Sequence, residues 1–197
     1  MLIHPPPRDD TADALAQWYE QQSAAWGYLP NYAPLFASRP DVAAAWTRLN
    51  LAVRGGMDRR RFELVTMAAA RARSSTYCLA AHAKFLRDVC GDGETVVALS
   101  ADPDGGSLDP VDRALVGFAG KSATDPASVT AADVDQLHEL GVSDAEIADV
   151  VFAVAARCFF ATVLDAGGVQ ADHQLREEFT GETVSSLAVG RPFAPAD

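Results

Sequence analysis

The stretch FELVTMAAARARSSTYCLAAH, residues 62–82, decides the predicted fold, because it contains two helical segments separated by a break. Apolar residues recur at helical spacing on both sides of Ser74 and Ser75. Serine and threonine are preferred at helix N-caps, so the run Ser74–Thr76 predicts that a new helix begins there. We therefore predict one helix over residues 58–73 and a second over residues 75–90.

Cys78 and His82 are four residues apart, so they share one face of the second helix. With Ser75 as N-cap, Cys78 lies in the first turn, where free backbone N–H groups and the helix dipole favour a thiolate. The thiolate is the reactive form of cysteine, and a nearby imidazole can accept the thiol proton. The alternative is a small buried cysteine next to a packing histidine. Spacing alone leaves both interpretations open.

Glu63 precedes Cys78 by fifteen residues and would be roughly 22 Å away on one continuous helix. If the chain folds back at the serines, Glu63 faces Cys78 and His82 instead. Its apolar neighbours predict partial burial, which would raise the carboxyl pKa toward the range useful for proton transfer. A glutamate that only stabilises the helix dipole is the alternative. The hypothesis is a catalytic trio of Glu63, Cys78 and His82.

The rest of the chain is also predicted to be helical, and no segment shows the alternation of a strand. Residues 91–110 are predicted to be a loop with at most a short helix at the centre. The helix that starts at the Ser143–Glu146 capping box is apolar on nearly all sides, so we expect it to be the central buried helix. The fold class is all-α, a helical bundle. Further helices are predicted over residues 9–27, 41–56, 110–123 and 128–141.

Composition excludes several classes of partner. The 27 acidic and 16 basic residues give a net charge of -11, which disfavours nucleic acid and anionic membrane surfaces. We identify no run of roughly 20 apolar residues and no secretory h-region. Cys78, Cys90 and Cys158 have no disulfide-framework spacing, which indicates a reducing, cytoplasmic location. No dinucleotide fingerprint, P-loop or zinc-type cysteine pair is present, so no cofactor and no metal is expected.

The segment around residues 62–82 resembles the core motif of the alkylhydroperoxidase AhpD and carboxymuconolactone decarboxylase superfamily. That motif is a glutamate, eleven residues, C-x-x-C, three residues and a histidine. Glu63, Cys78 and His82 hold the glutamate, the second cysteine and the histidine, and Ser75 stands at the first cysteine. The flanking sequence, from about residue 18 to 171, is similar to the peroxidase-related branch. The resemblance implies a single AhpD-like domain over 1–197, with an N-terminal helical segment 1–56, core motif helices 57–91 and C-terminal helices 108–187.

In the family the second cysteine attacks the peroxide and the first resolves the product as a disulfide. Glutamate and histidine relay protons, helped by a residue just before the attacking cysteine, often a second histidine. Here Ser75 replaces the resolving cysteine and Tyr77 replaces that histidine, so both are possible auxiliary residues only. Tyr77 either donates a hydrogen bond or packs as an aromatic residue.

The resemblance implies a thiol-dependent peroxidase that reduces hydrogen peroxide or an organic hydroperoxide through Cys78. An external thiol or thiol carrier protein would be the reductant, and family members assemble as homo-oligomers. Two other functions stay open. One is a lyase of the carboxymuconolactone decarboxylase type, and the other is a non-catalytic oligomeric redox-sensing module.

Overall fold

Residues 62–82 fold into two helices that pack against each other, as predicted. The computed structural model describes residues 1–7 and 9–196, and over these residues the chain is helical without a strand. Short 3-10 segments precede the first helix and lie at Ala33–Phe36 and Pro126–Ser128. The α-helices are α1 (Ala12–Trp26), α2 (Pro40–Gly55), α3 (Arg59–Ala72), α4 (Thr76–Asp88), α5 (Gly93–Ala101), α6 (Pro110–Thr124), α7 (Ala131–Glu139), α8 (Asp144–Gly167), α9 (His173–Glu177) and α10 (Gly181–Leu187).

The break between α3 and α4 is a tight reversal at Ser74, which has a positive φ of 53°. A left-handed backbone is uncommon for a residue with a side chain, and it turns the chain back on itself here. The backbone N–H of Ser75 donates to the carbonyl of Ala70 across the reversal, at 2.9 Å. The second half of α3 therefore lies along the first half of α4.

Several helices start where the sequence predicts. Asp109 caps α6 by accepting from the amides of Val111 and Asp112, with Pro110 as the first helical residue. Ser143 and Glu146 form the capping box of α8. In contrast, residues 91–110 do not have a short central helix. The nine-residue α5 begins at Gly93, near the start of the segment, where the side chain of Asp92 caps it.

α3, and not α8, lies at the centre of the helix packing. α3 packs against α4, α6 and α8. Leu64 and Met67 enter an apolar cluster shared with α4, while Phe62 and Val65 enter a second cluster shared with α6 and α8. The expectation that α8 is the central buried helix is therefore wrong, because two opposite faces of α3 are covered.

α8 is long and apolar enough to cross a membrane by length and composition alone, so the expectation that no run approaches the length of a membrane helix is wrong. Half of its most apolar window is buried within the protein. Core helices of soluble proteins meet the same criterion, so the observation is weak evidence for a membrane. The exposed side of α8 carries Val151, Phe152 and Phe159.

Candidate active site

Glu63 is fully buried on α3, where it is enclosed by the apolar residues that precede and follow it. Its Oε1 accepts a hydrogen bond from Nε of Arg59, four residues earlier on the same helix. Residues at this spacing are neighbours on a helix surface. The carboxylate thus has a cation beside it although it is buried.

Glu63 and His82 are in direct contact between α3 and α4. Nδ1 of His82 donates to Oε2 of Glu63 and also lies 3.1 Å from Oγ1 of Thr66. The hydroxyl of Thr66 donates to the carbonyl of Phe62, so its oxygen is available as an acceptor. We assign the Nδ1–H tautomer because the acceptors surround that nitrogen. Nε2 is then the basic nitrogen of a neutral imidazole.

The electrostatics of this pair differ from the prediction for Glu63. Burial raises the pKa of Glu63, but His82 and the guanidinium of Arg59 outweigh burial, and the pKa is lowered from its ordinary value. The expectation of a raised pKa is wrong because it considered burial without the opposing effects of His82 and Arg59. Burial, with the positive charge of Arg157, lowers the pKa of His82 to about 4. At neutral pH the pair is a carboxylate and a neutral imidazole.

Cys78 is the third residue of α4 and is only 2% exposed. Its Sγ accepts a hydrogen bond from Nη1 of Arg157, at 3.6 Å. Within residues 1–7 and 9–196, we find no hydrogen bond that joins Cys78 to His82, although both side chains are buried on α4. The structure therefore brings Glu63 and His82 together directly, and it gives Cys78 a different partner.

That partner, Arg157, was missed in the sequence. It lies on α8, is 5% exposed, and its guanidinium carbon is 5.7 Å from the ring centre of Trp46 and 5.8 Å from that of Phe160. The available signal was an arginine inside the apolar run VVFAVAARCFFATVL, since a charged residue is rarely buried without a partner. The sequence could not say which residue the partner was.

Ser75 occupies the N-cap position of α4, as predicted, but its side chain caps no backbone amide. The residue is fully buried, and its hydroxyl favours the charged form of the nearby Asp165 carboxyl, which opposes the raising effect of burial on the pKa of Asp165. The hydroxyl of Thr76 accepts from the backbone N–H of Gly190 in the C-terminal segment. The serine cluster thus marks the helix start correctly, while a side-chain cap by Ser75 is absent.

Tyr77 donates its hydroxyl hydrogen to Oδ2 of Asp172, and both residues are buried. Asp172 also accepts from the backbone N–H of Asn31 at 2.7 Å, and Tyr28 Oη lies 3.4 Å from its Oδ2. Burial raises the pKa of Tyr77 well above its ordinary value, and the carboxylate of Asp172 adds to this. The hydroxyl is committed to Asp172, which favours a structural role over an auxiliary one at Cys78.

The other two cysteines are free thiols that are partly exposed. Cys90 follows the end of α4, and Cys158 is packed against the second apolar cluster, whereas Cys78 belongs to the first. Burial raises the pKa of both Cys90 and Cys158. In the part of the chain that the structure describes, no group of three or more His, Cys, Asp or Glu residues is placed to hold a metal ion.

Comparison with known proteins gives the class. The profile of the carboxymuconolactone decarboxylase family matches residues 40–104, a segment that includes Glu63, Ser75, Cys78 and His82 but not Arg157. No curated protein is significantly similar in sequence. Solved structures, in contrast, match along nearly the whole chain.

An "alkylhydroperoxidase AhpD core: uncharacterized peroxidase-related protein" from Ralstonia eutropha JMP134 has a TM-score of 0.76 at 22% identity, covering 89% of this chain and 95% of its own. An uncharacterized peroxidase-related protein from Silicibacter sp. TM1040 has a TM-score of 0.71 at 22% identity, with 86% and 88% covered. The debrominase Bmp8 has a TM-score of 0.75 at 17% identity, with 95% and 98% covered. At these identities the similarity establishes the fold.

The described chain has an all-α, AhpD-like fold. The segment 40–104 is thus similar to the carboxymuconolactone decarboxylase family, and the fold as a whole is similar to that of the AhpD-like solved structures.

Proposed function

We propose that the protein is a thiol-dependent peroxidase in which Cys78 is the reacting residue. The observation that carries the proposal is one buried site on α4: a thiol bound by a guanidinium, and one helical turn later an imidazole bound by a carboxylate. A cation beside a thiol favours its nucleophilic form, and a carboxylate–imidazole pair transfers protons.

In the proposed reaction the Cys78 thiolate attacks the terminal oxygen of a hydroperoxide. An S–O bond forms and the O–O bond breaks, so that sulfur loses two electrons and the peroxide gains them. The leaving oxygen takes up one proton and departs as an alcohol, or as water from hydrogen peroxide. Glu63, acting through His82 or a water molecule, removes the proton of the thiol and supplies a proton to the leaving oxygen. The product on the enzyme is a sulfenic acid.

An external thiol then completes the cycle. It condenses with the sulfenic acid to give a mixed disulfide and water, and a second thiol displaces Cys78 and leaves as a disulfide of the reductant. The proposal requires an external reductant because Ser75 has no sulfur. Cys90 is twelve residues further on, roughly 18 Å along the helix direction, beyond the reach of a disulfide.

Assembly and location are further parts of the proposal. The exposed apolar residues of α8, together with exposed Leu49 of α2, support a homo-oligomer with this side at the interface. The three free thiols support a cytoplasmic location. Sedimentation of the wild-type protein and of Phe152→Glu tests the assembly, and an unchanged monomer in both would contradict it.

The function is tested by steady-state consumption of hydrogen peroxide and cumene hydroperoxide with dithiothreitol as reductant. We expect turnover by wild type and by Cys90→Ser, the matched control, and none by Cys78→Ser. If the protein is a lyase, its Cys78→Ala variant should still convert a carboxymuconolactone-type substrate. A redox sensor would form one equivalent of Cys78 sulfenic acid without turnover. Either result would replace the peroxidase proposal.

A further inference from the structure

The buried guanidinium of Arg157 lacks a carboxylate partner. No aspartate or glutamate of the described chain lies within 4 Å of its nitrogens, and its Nε is buried without a hydrogen-bond partner. Arginine keeps its proton in proteins, so this charge cannot be removed by titration. An uncompensated charge in a protein interior is strongly destabilising, which implies that an anion is present beside it.

The other ionisable groups around Arg157 do not supply that anion. The carboxylate of Glu63 is paired with Arg59 on its own helix. His82 is neutral, and burial raises the pKa of Cys158 and of Tyr32, so both stay protonated near neutral pH. Asp172 is occupied by Tyr77, Tyr28 and the amide of Asn31.

Two aromatic rings contact Arg157 but do not neutralise the charge of its guanidinium. The faces of Trp46 and Phe160 attract a cation and fix the position of the guanidinium. They carry no net charge, however. Within residues 1–7 and 9–196, the side-chain hydrogen bond that we find for Arg157 joins its Nη1 to Sγ of Cys78, at 3.6 Å.

We propose that Cys78 is a thiolate in the resting protein and that Arg157 is its counter-ion. The inference deepens the proposed function and rests on it in taking Cys78 as the reacting sulfur, but the ionisation of Cys78 can be measured without turnover. Arg157 touches the reacting atom and is thus a catalytic residue of the proposed peroxidase. Because the thiol proton has already been lost, the Glu63–His82 pair passes a proton from a water molecule to the leaving oxygen, in place of the proton of the thiol itself.

The first experiment measures the thiolate directly. Thiolate absorbance at 240 nm is recorded against pH in a Cys90→Ser/Cys158→Ser protein, in which Cys78 is the only thiol, with the further Cys78→Ser variant as blank. We expect full thiolate absorbance at pH 7 and its loss on acidification. When Arg157→Met is introduced into this Cys78-only protein, the thiolate absorbance at pH 7 should be lost. Arg157→Lys should retain that absorbance. Arg73→Met, an exposed arginine near Cys158, is the matched control and should change nothing.

The second experiment measures the pairing through stability. Cys78→Ala leaves the Arg157 charge unpaired, so it should lower the unfolding temperature in the Arg157 protein and lower it much less in an Arg157→Met protein. Alkylation of Cys78 by iodoacetamide at pH 6 should slow by about tenfold or more in Arg157→Met.

The proposal would be overturned if Cys78 is protonated at pH 7. It would also be overturned if the Cys78-only protein and its Arg157→Met variant have equal thiolate absorbance. If Arg157→Met does not fold, the pH titration of the Cys78-only protein decides alone. If Cys78 is a thiolate at pH 7 but the protein has no peroxidase activity, the proposed function is refuted and the ion pair between Cys78 and Arg157 is retained.

Discussion

The carboxylate of Glu63 accepts a hydrogen bond from Nδ1 of His82, nineteen residues further along the chain. The contact is possible because the chain reverses at Ser74, which places the second turn of α3 beside the second turn of α4. The pair is neutral imidazole and carboxylate, shielded from water and oriented by Thr66 and Arg59. Such an arrangement fixes which imidazole nitrogen is basic.

Glu63→Gln should lower peroxidase turnover by roughly 100-fold or more, because an amide cannot relay a proton and its NH₂ group competes for the wrong histidine tautomer. Peroxide consumption under saturating reductant is the measurement. Glu94→Gln, an exposed glutamate at the start of α5, should leave turnover unchanged. Equal rates for Glu63→Gln and wild type would remove Glu63 from the mechanism.

The lowered pKa of His82 predicts how stability depends on pH. His82 has a pKa of about 4 in the folded protein against 6.5 in the unfolded chain, so between these values the unfolded state binds more protons. The free energy of unfolding therefore rises with pH across this window and is lost as pH falls, by about 3 kcal/mol in total.

Urea unfolding of His82→Gln at pH 4 to 7 should show a smaller loss on acidification than wild type. His4→Gln, an exposed histidine, is the control and should follow wild type. A wild-type stability that is constant over this range, or a His82→Gln curve parallel to wild type, would contradict a buried neutral His82.

Ser75→Cys should form a disulfide with Cys78 after one equivalent of peroxide. The Ser75 side chain caps no backbone amide of α4, and C-x-x-C at a helix start has the geometry of reactive dithiols. Intact mass spectrometry should show the loss of two hydrogens, while wild type shows sulfenic acid or a mixed disulfide with added thiol. Ser75→Ala is the control for the substitution itself. If Ser75→Cys forms sulfenic acid as wild type does, and no disulfide, then residue 75 cannot reach Cys78.

Tyr77→Phe should destabilise the fold without lowering turnover. The Asp172 side chain is buried, and removal of one donor leaves it under-satisfied, at a cost of about 1 to 3 kcal/mol. Tyr28→Phe, which removes the longer contact to the same carboxylate oxygen, should cost less. Denaturant unfolding and peroxide turnover are measured on both proteins. A selective loss of turnover in Tyr77→Phe would instead assign this hydroxyl to the catalytic site.

The burial of Cys78 predicts selection among peroxides by size. With 2% of the residue exposed, hydrogen peroxide should form Cys78 sulfenic acid faster than cumene hydroperoxide does. Trapping of the sulfenic acid by dimedone, followed by peptide mass spectrometry, gives both rates. The same comparison in urea should abolish the preference. A native protein that reacts faster with the bulky peroxide would require an open channel to Cys78.

Much of the helical framework follows from local sequence. Caps such as Asp109 and the Ser143–Glu146 box act within one helical turn, so residue types at fixed spacing define where α6 and α8 begin. The same reasoning places Cys78 and His82 on one face, and it predicts a helix break at the serines. The superfamily motif then indicates which glutamate belongs with them.

Only the tertiary structure decided the partners that come from distant parts of the chain. Arg157 reaches Cys78 from 79 residues away, and Asp172 reaches Tyr77 from 95 residues away. Tertiary packing also decides which helix is central. α8 is the more apolar helix, but α3 has more of its sides covered by other helices. Periodicity shows which face of a helix is apolar. It does not show which helix covers that face, because this depends on the packing of all the helices at once.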